Sequence, residues 1–281
     1  MNAYMIMKAF IRRIRKQGSE NRIRGYRKFR IYDPKEREIH ALPYSDRVVQ
    51  HSLCDNVLGP YLDRRLIYDN AACRPGKGTH FAMDRLSGFM RSFYREHGAD
   101  GWFLKCDIRK YFLSISHRIL HEKIEGMNLG AEVKELLHII VDSYEEEEGR
   151  GLPMGNQTSQ WFALYYLDGI DRLVKEKMRI KYYTRYMDDM ILIHHDREYL
   201  SECLCEMEAY AKDRLDIEFN EKTQIHHIKQ GIDYLGFHFY LTDTGKVIRR
   251  LRQSCKRRFK RKLKKFKVLY RNDNIGIDDK L

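Results

Sequence analysis

Carboxylates collect at two places where strands should end. Asp107 closes the apolar run Phe103-Leu104-Lys105-Cys106, and Asp188-Asp189 sits between the strand-like runs Tyr182 to Tyr186 and Met190 to Ile193. Adjacent antiparallel strands would bring all three side chains together. Carboxylates so crowded repel one another and desolvate badly unless divalent cations neutralise them. Two Mg²⁺ ions roughly 3.5–4 Å apart, or Mn²⁺ in their place, would activate a 3′-hydroxyl and stabilise a leaving pyrophosphate. An Asp-Asp pair in a turn is by itself ordinary turn chemistry. Its surroundings decide.

The elements that must position these carboxylates can be read from periodicity. Apolar and basic residues at helical spacing predict a helix over 4–16. Alternation over 28–32 and 38–42, with Asp33-Pro34-Lys35-Glu36-Arg37 between them, predicts a hairpin. Val48, Val49, Leu53, Val57 and Leu58 predict a helix from Ser45 to Leu62, capped by Ser45-Asp46. A glycine-rich basic loop, Cys73 to Thr79, leads into a helix near 80–96. Helices are also expected over 117–143, from Thr158 to about Arg179, and over 198–215. Strands are expected at 223–228, 232–240 and 246–249, then a basic helix over 250–270. The pattern describes an α+β domain, an antiparallel sheet with helices on one face.

Charge is unevenly placed. Residues 1–37 carry 12 Lys/Arg against 3 Asp/Glu, and residues 246–271 carry 14 Lys/Arg and no acid. The stretch 38–245 is acidic, with 26 bases and 34 acids. An acidic body between two basic arms suggests a polyanion gripped at both ends. Hydrophobic residues make up 43% of the chain, enough for a core and against intrinsic disorder. No run of roughly 18 apolar residues predicts a membrane span. Lys8 and Arg12-Arg13 interrupt the N-terminal apolar run before a secretory signal could form. The six cysteines include no CxxC pair, so reduced thiols and a cytoplasmic protein are expected.

Tyr186-Met187-Asp188-Asp189, 81 residues beyond Asp107 in Asp107-Ile108-Arg109-Lys110-Tyr111-Phe112, resembles the catalytic motifs of reverse transcriptases. Between them, Gly151-Leu152-Pro153-Met154-Gly155-Asn156-Gln157-Thr158-Ser159-Gln160 is similar to that family's nucleotide-binding turn. Asn220-Glu221-Lys222-Thr223 and Tyr234-Leu235-Gly236-Phe237 resemble its lysine motif and primer grip. Asp46-Arg47-Val48-Val49-Gln50-His51 and Ala72 to His80 resemble its finger motifs. The likeness is collinear over residues 29–239, about three quarters of the chain. Ser159-Gln160 stands where most of the family has Ser-Pro. With Val-Val-Gln-His and Gly-Lys-Gly-Thr-His, it makes the chain most similar to the enzymes of diversity-generating retroelements, which are bacterial or phage-encoded. These copy a template RNA and misincorporate at adenines, usually with a small basic accessory protein.

The resemblance implies a right-hand polymerase. Residues 1–100 would hold the N-terminal part of the fingers, 101–245 the palm with its antiparallel sheet, and 246–281 a minimal basic helical thumb and tail. It implies two Mg²⁺ ions, deoxynucleoside triphosphates, a template RNA and a nascent cDNA. Asp107, Asp188 and the Ile108 carbonyl would ligate the metals, with Asp189 in support. Lys35, Arg37 and Arg74 would meet the incoming triphosphate, where guanidinium geometry suits phosphate. Phe112 would gate the sugar, Met154, Gly155 and Gln160 would line the nucleotide site, and Lys222 would protonate pyrophosphate. Lys256, Arg257, Lys260 and Arg261 would grip the template–primer duplex.

Three rival readings accompany this one. The first is an antiphage defence reverse transcriptase with a dedicated RNA, which its genomic neighbours would reveal. The second is a non-catalytic RNA-binding scaffold, against which the intact Asp107, Asp188 and Asp189 stand. The third is an RNA-dependent RNA polymerase, disfavoured by Phe112. Gly76-Lys77-Gly78-Thr79 lacks the spacing of a P-loop, so an ATPase is excluded.

Overall fold

The computed structural model describes residues 25–32 and 36–271. The helix expected over 4–16, Lys35 and the tail beyond 271 lie outside the described residues. The described residues open with the expected hairpin, β1 (Arg27–Ile31) against β2 (Arg37–Ala41). A helix follows over Tyr44–Leu53. It continues through a π-turn at Cys54–Leu58 into a short helix at Gly59–Asp63, where Gly59 lies against the Trp161 ring. Ser45 and Asp46 do not cap it. Pro43 holds that position, and Ser45 Oγ instead donates to Asp46 Oδ1 at 3.0 Å.

The central sheet runs in the order β4 (Tyr182–Tyr186), β5 (Asp189–His194), β3 (Trp102–Cys106), β6 (Gln224–His227), every pair antiparallel. The sequence pattern predicts helices on one face, yet both faces are covered. Leu104, Tyr183, Met190 and Leu192 share a core with residues of the helices Gln157–Tyr166 and Arg197–Leu215. Phe103, Tyr182, Ile191 and Ile193 meet Leu86, Met90 and Phe93 of the helix Thr79–His97. Strand β5 is apolar at successive positions rather than alternating, the composition a strand needs when neither face meets water.

A second sheet, β7 (Ile232–Tyr234), β8 (Phe237–Leu241) and β9 (Val247–Leu251), joins that second core. The single strand expected over 232–240 is a hairpin, because Leu235 and Gly236 both take positive φ, 46° and 86°. Two successive positive φ values are what a two-residue hairpin turn demands. The helix expected over 117–143 divides into His117–Glu125 and Ala131–Asp142 around Gly126 and Gly130. That expected from Thr158 to Arg179 breaks after Tyr166. Just beyond the break, Gly169 admits the Tyr210 side chain so closely that any Cβ there would collide with its ring. The basic helix spans Gln253–Arg271. All six cysteines are free, as the sequence suggests.

Candidate active site

One cleft of about 1290 Å³ opens where the central sheet, the β1–β2 hairpin and the β7–β8 hairpin meet. Asp188 enters it from the turn between β4 and β5, which Tyr186 and Asp189 close as a cross-strand pair. Met187 takes φ +59° in the first of the two loop positions, where a glycine is the unstrained choice. Asp107 enters one residue past β3, the central neighbour of β5. Its Oδ2 accepts a 2.6 Å bond from Asn220 Nδ2, and its backbone carbonyl accepts from the Asn220 N–H at 2.9 Å. Strand pairing alone thus brings residues 81 apart into one place.

Asp107 and Asp188 line the same cleft, close enough for the charge of one to act on the other. Burial pushes the Asp188 carboxyl up to about 6. A hydrogen bond from its own backbone N–H opposes the rise, and the charges of Asp107 and Asp189 add to it. Asp189 is likewise raised to about 6, first by burial, with Lys105 pulling it down and Asp107 pushing it up. Lys105 Nζ lies 3.4 Å from Asp189 Oδ1, an ion pair without an aligned hydrogen bond. The Lys105 ammonium spends its good geometry on the Asp233 carbonyl, 2.6 Å away on β7.

Among the described residues no Lys or Arg ion-pairs with Asp107 or Asp188, and no three His, Cys, Asp or Glu side chains close into a metal cage. Two half-buried carboxylates with no ion-paired Lys or Arg among the described residues are nevertheless a donor set that hard divalent cations fit, with water completing the shell. Asp189, held toward Lys105, is the offset member.

The remaining expected residues divide. Arg37, Phe112, Met154, Gly155, Gln160 and Lys222 all line the cleft. Gly155 has φ +122°, and a Cβ there would lie 2.9 Å from Ile39 Cγ2, so glycine lets the turn press against β2. The Met154 carbonyl accepts from the His40 N–H at 2.9 Å, joining the same two elements. Ile108 follows Asp107 with its side chain in the core. Arg74 stands apart from them. It is buried and does not line the cleft. Its Nε donates to Asp63 Oδ1 at 2.6 Å, and its Nη atoms donate to the carbonyls of Asp63, Ile67 and Asn70. The guanidinium is consumed in building its own loop. Lys256, Arg257, Lys260 and Arg261 are exposed on the C-terminal helix, away from the cleft lining.

Sequence reasoning missed Lys105 and the orienting role of Asn220. Lys105 had a signal, because two residues before Asp107 is the same face of an extended strand. Asn220 had none beyond its neighbourhood to Lys222.

An antiparallel sheet flanked by helices, with a carboxylate hairpin facing a cleft, defines the class of right-hand polymerase-like folds. The chain belongs to the family described as reverse transcriptase (RNA-dependent DNA polymerase), which it matches over residues 28–239. No curated protein matches it. Its fold resembles telomerase from Candida albicans, solved in complex with a fragment of telomeric RNA, with TM-score 0.62 and 14% identity over 88% of this chain and 49% of that one. Apo telomerase from Candida tropicalis, truncated from its C-terminal domain, is similar with TM-score 0.57 and 14% identity over 82% and 55% of the two chains. The chain thus spans about half the length of these solved relatives.

Proposed function

We propose that this chain copies RNA into DNA by metal-assisted nucleotidyl transfer, as the error-prone reverse transcriptase of a diversity-generating retroelement. The observation that carries the catalytic reading is the meeting of Asp107 and Asp188, both half-buried, the charge of one acting on the other and neither ion-paired with a Lys or Arg among the described residues, in the cleft beneath the β1–β2 hairpin. In this reading they hold the metal, which when bound supplies the positive charge that ionises a 3′-hydroxyl and steadies a departing pyrophosphate. Asn220 fixes the Asp107 rotamer. Arg37 meets the triphosphate, the Gly155 backbone lies along the nucleotide, and the Phe112 ring blocks a ribose 2′-OH. Lys222 donates a proton to pyrophosphate.

The retroelement reading rests on the resemblance of two segments, which meet in the core. Thr158 Oγ1 donates to Gln50 Oε1 at 2.9 Å in the core, joining the Gly-Asn-Gln-Thr-Ser-Gln and Val-Val-Gln-His runs. Met154 stands where retroviral relatives have a glutamine. A thioether offers contact but only a weak acceptor, so it gives the incoming nucleotide no directional hydrogen bond. Such a bond contributes roughly 0.5–1.5 kcal/mol, up to about tenfold in selection.

Extension of a DNA primer on an RNA template, with deoxy- and ribonucleotides in competition, tests the reading. Deoxynucleotide incorporation is expected, with errors concentrated opposite template adenine and reduced by Met154→Gln. Preferential ribonucleotide incorporation would make it an RNA polymerase. Uniform fidelity across template bases would remove the retroelement assignment while leaving the enzyme class.

A further inference from the structure

Arg185 stands three residues before Asp188, on β4. Its side chain has 0% exposure, and every nitrogen of its guanidinium is engaged. Nε donates to Asp171 Oδ1 at 2.7 Å and Nη2 to Asp171 Oδ2 at 2.6 Å, a bidentate fork. Nη2 also reaches the Leu164 carbonyl at 3.0 Å. Nη1 turns forward along its own hairpin and donates to the Met187 carbonyl at 2.9 Å. Asp171 is itself fully buried, and its Oδ1 takes a second bond from the Tyr183 hydroxyl at 2.6 Å.

The Met187 carbonyl belongs to the peptide plane that leads into Asp188. That plane is rigid, so the direction of the carbonyl sets where the Asp188 Cα begins. Met187 is also the residue with the unfavourable φ, +59°, at the hairpin tip. Non-glycine residues hold such a conformation only where the surroundings over-determine it. The guanidinium is the group that does so here. Its main chain is tied down as well: the Arg185 N–H donates to the Asp69 carbonyl at 3.1 Å, and its carbonyl accepts from the Ala71 N–H at 2.9 Å. Nothing in the chain's composition requires a buried ion pair at this point in an apolar core.

We infer that Arg185, anchored by Asp171, is the positioning residue for Asp188, holding the strained tip of the hairpin so that the carboxylate faces Asp107. The inference rests on the reading of Asp188 as a metal-holding carboxylate. A purely structural role makes a different forecast. Removing one partner of a buried ion pair strands a charge and unfolds the protein, whereas replacing the whole pair by apolar residues of similar volume is often neutral for stability.

The deciding variant is therefore Arg185→Met with Asp171→Leu and Tyr183→Phe, which leaves neither a lone charge nor an orphaned hydroxyl. Two readouts are taken: Mn²⁺ affinity by titration, and kcat and KM for primer extension. The expected result is a cooperative melting transition with Mn²⁺ bound about tenfold more weakly, the loss typical of an outer-shell partner. The kcat should fall about tenfold or more, with the nucleotide KM within about threefold. A folded variant with wild-type Mn²⁺ affinity and kcat overturns the inference. If the triple variant shows no cooperative transition, Arg185→Lys takes its place, because an ammonium can pair with Asp171 but cannot also reach the Met187 carbonyl; the same outcomes decide. A wild-type protein that binds Mn²⁺ but extends no primer sinks the polymerase reading, and the Mn²⁺ comparison still judges Arg185. Wild type that binds no Mn²⁺ overturns the inference.

Discussion

At the scale of single residues, the site is a place where the fold works against itself. Asp188 is raised to about 6 chiefly by burial, so the folded protein favours its protonated form relative to the unfolded chain. A carboxyl with a raised folded pKa contributes stability below its unfolded value, near 4, and loses that contribution as pH climbs through about 6. Without metal, the protein should therefore melt lower at pH 7.5 than the rest of its charges would dictate. Mg²⁺ should raise the melting temperature at pH 7.5 and have little effect at pH 5, where Asp188 and Asp189 hold protons that the ion must displace. Equal Mg²⁺ stabilisation at both pH values would separate these carboxylates from the metal. Asp188→Asn should abolish nucleotide addition, yet in metal-free buffer at pH 7.5 it should melt no lower than wild type, because the substitution removes the repelling charge. A large drop in melting temperature would mean that the carboxylate is a structural acceptor.

Among the elements that line the cleft, the turn at Met154–Gly155 is pressed against β2. Gly155→Ala adds a methyl 2.9 Å from Ile39 Cγ2 at φ +122°. A cost of about 1–3 kcal/mol in stability is expected, with a higher nucleotide KM as the β1–β2 hairpin is pushed aside. Denaturant melts and steady-state kinetics would check both, and unchanged KM would free the turn from any role in nucleotide binding. Most elements were legible in the sequence because their signals are local: alternation in 28–32 and 38–42, apolar spacing in 198–215, a glycine-rich entry to the helix Thr79–His97. The errors came where a distant contact overrides local pattern. No local signal distinguishes the hairpin at Leu235–Gly236 from a continuous strand, and the break after Tyr166 is accompanied by Tyr210, far along the chain. The carboxylates were legible from their motif spacing. The backbone contacts of Arg74 were not legible, because a guanidinium beside a glycine-rich loop looks the same in sequence whether it faces a phosphate or its own backbone.

For the whole molecule, the distribution of charge sets the conditions of use. The helix Gln253–Arg271 carries exposed Lys256, Arg257, Lys260 and Arg261, and it joins the body through Arg252, whose Nε lies 3.0 Å from Asp233 Oδ2 at the cleft. Among the described residues no helix is long and apolar enough to cross a membrane. A sequence-independent grip on template–primer duplex should show steep salt dependence, with a slope of roughly −0.9 per neutralised phosphate for B-DNA. Reversing Lys256, Arg257, Lys260 and Arg261 to glutamate should flatten that dependence while leaving nucleotide KM on a saturating duplex nearly unchanged. An unaltered slope in filter binding across salt concentrations would assign the helix to a protein partner instead.

The bond from Asn220 to Asp107 spans 113 residues of chain, and it has a consequence for the order of events at the ribosome. Strands β3, β4 and β5 are all synthesised before Asn220 and β6 emerge. A nascent polypeptide can therefore assemble its carboxylate hairpin while Asp107 is still free to rotate. Asp107 gains this partner only when the segment leading into the last strand arrives, so a chain stalled or cleaved before residue 220 would carry the recognisable motif without the Asn220 bond that orients it.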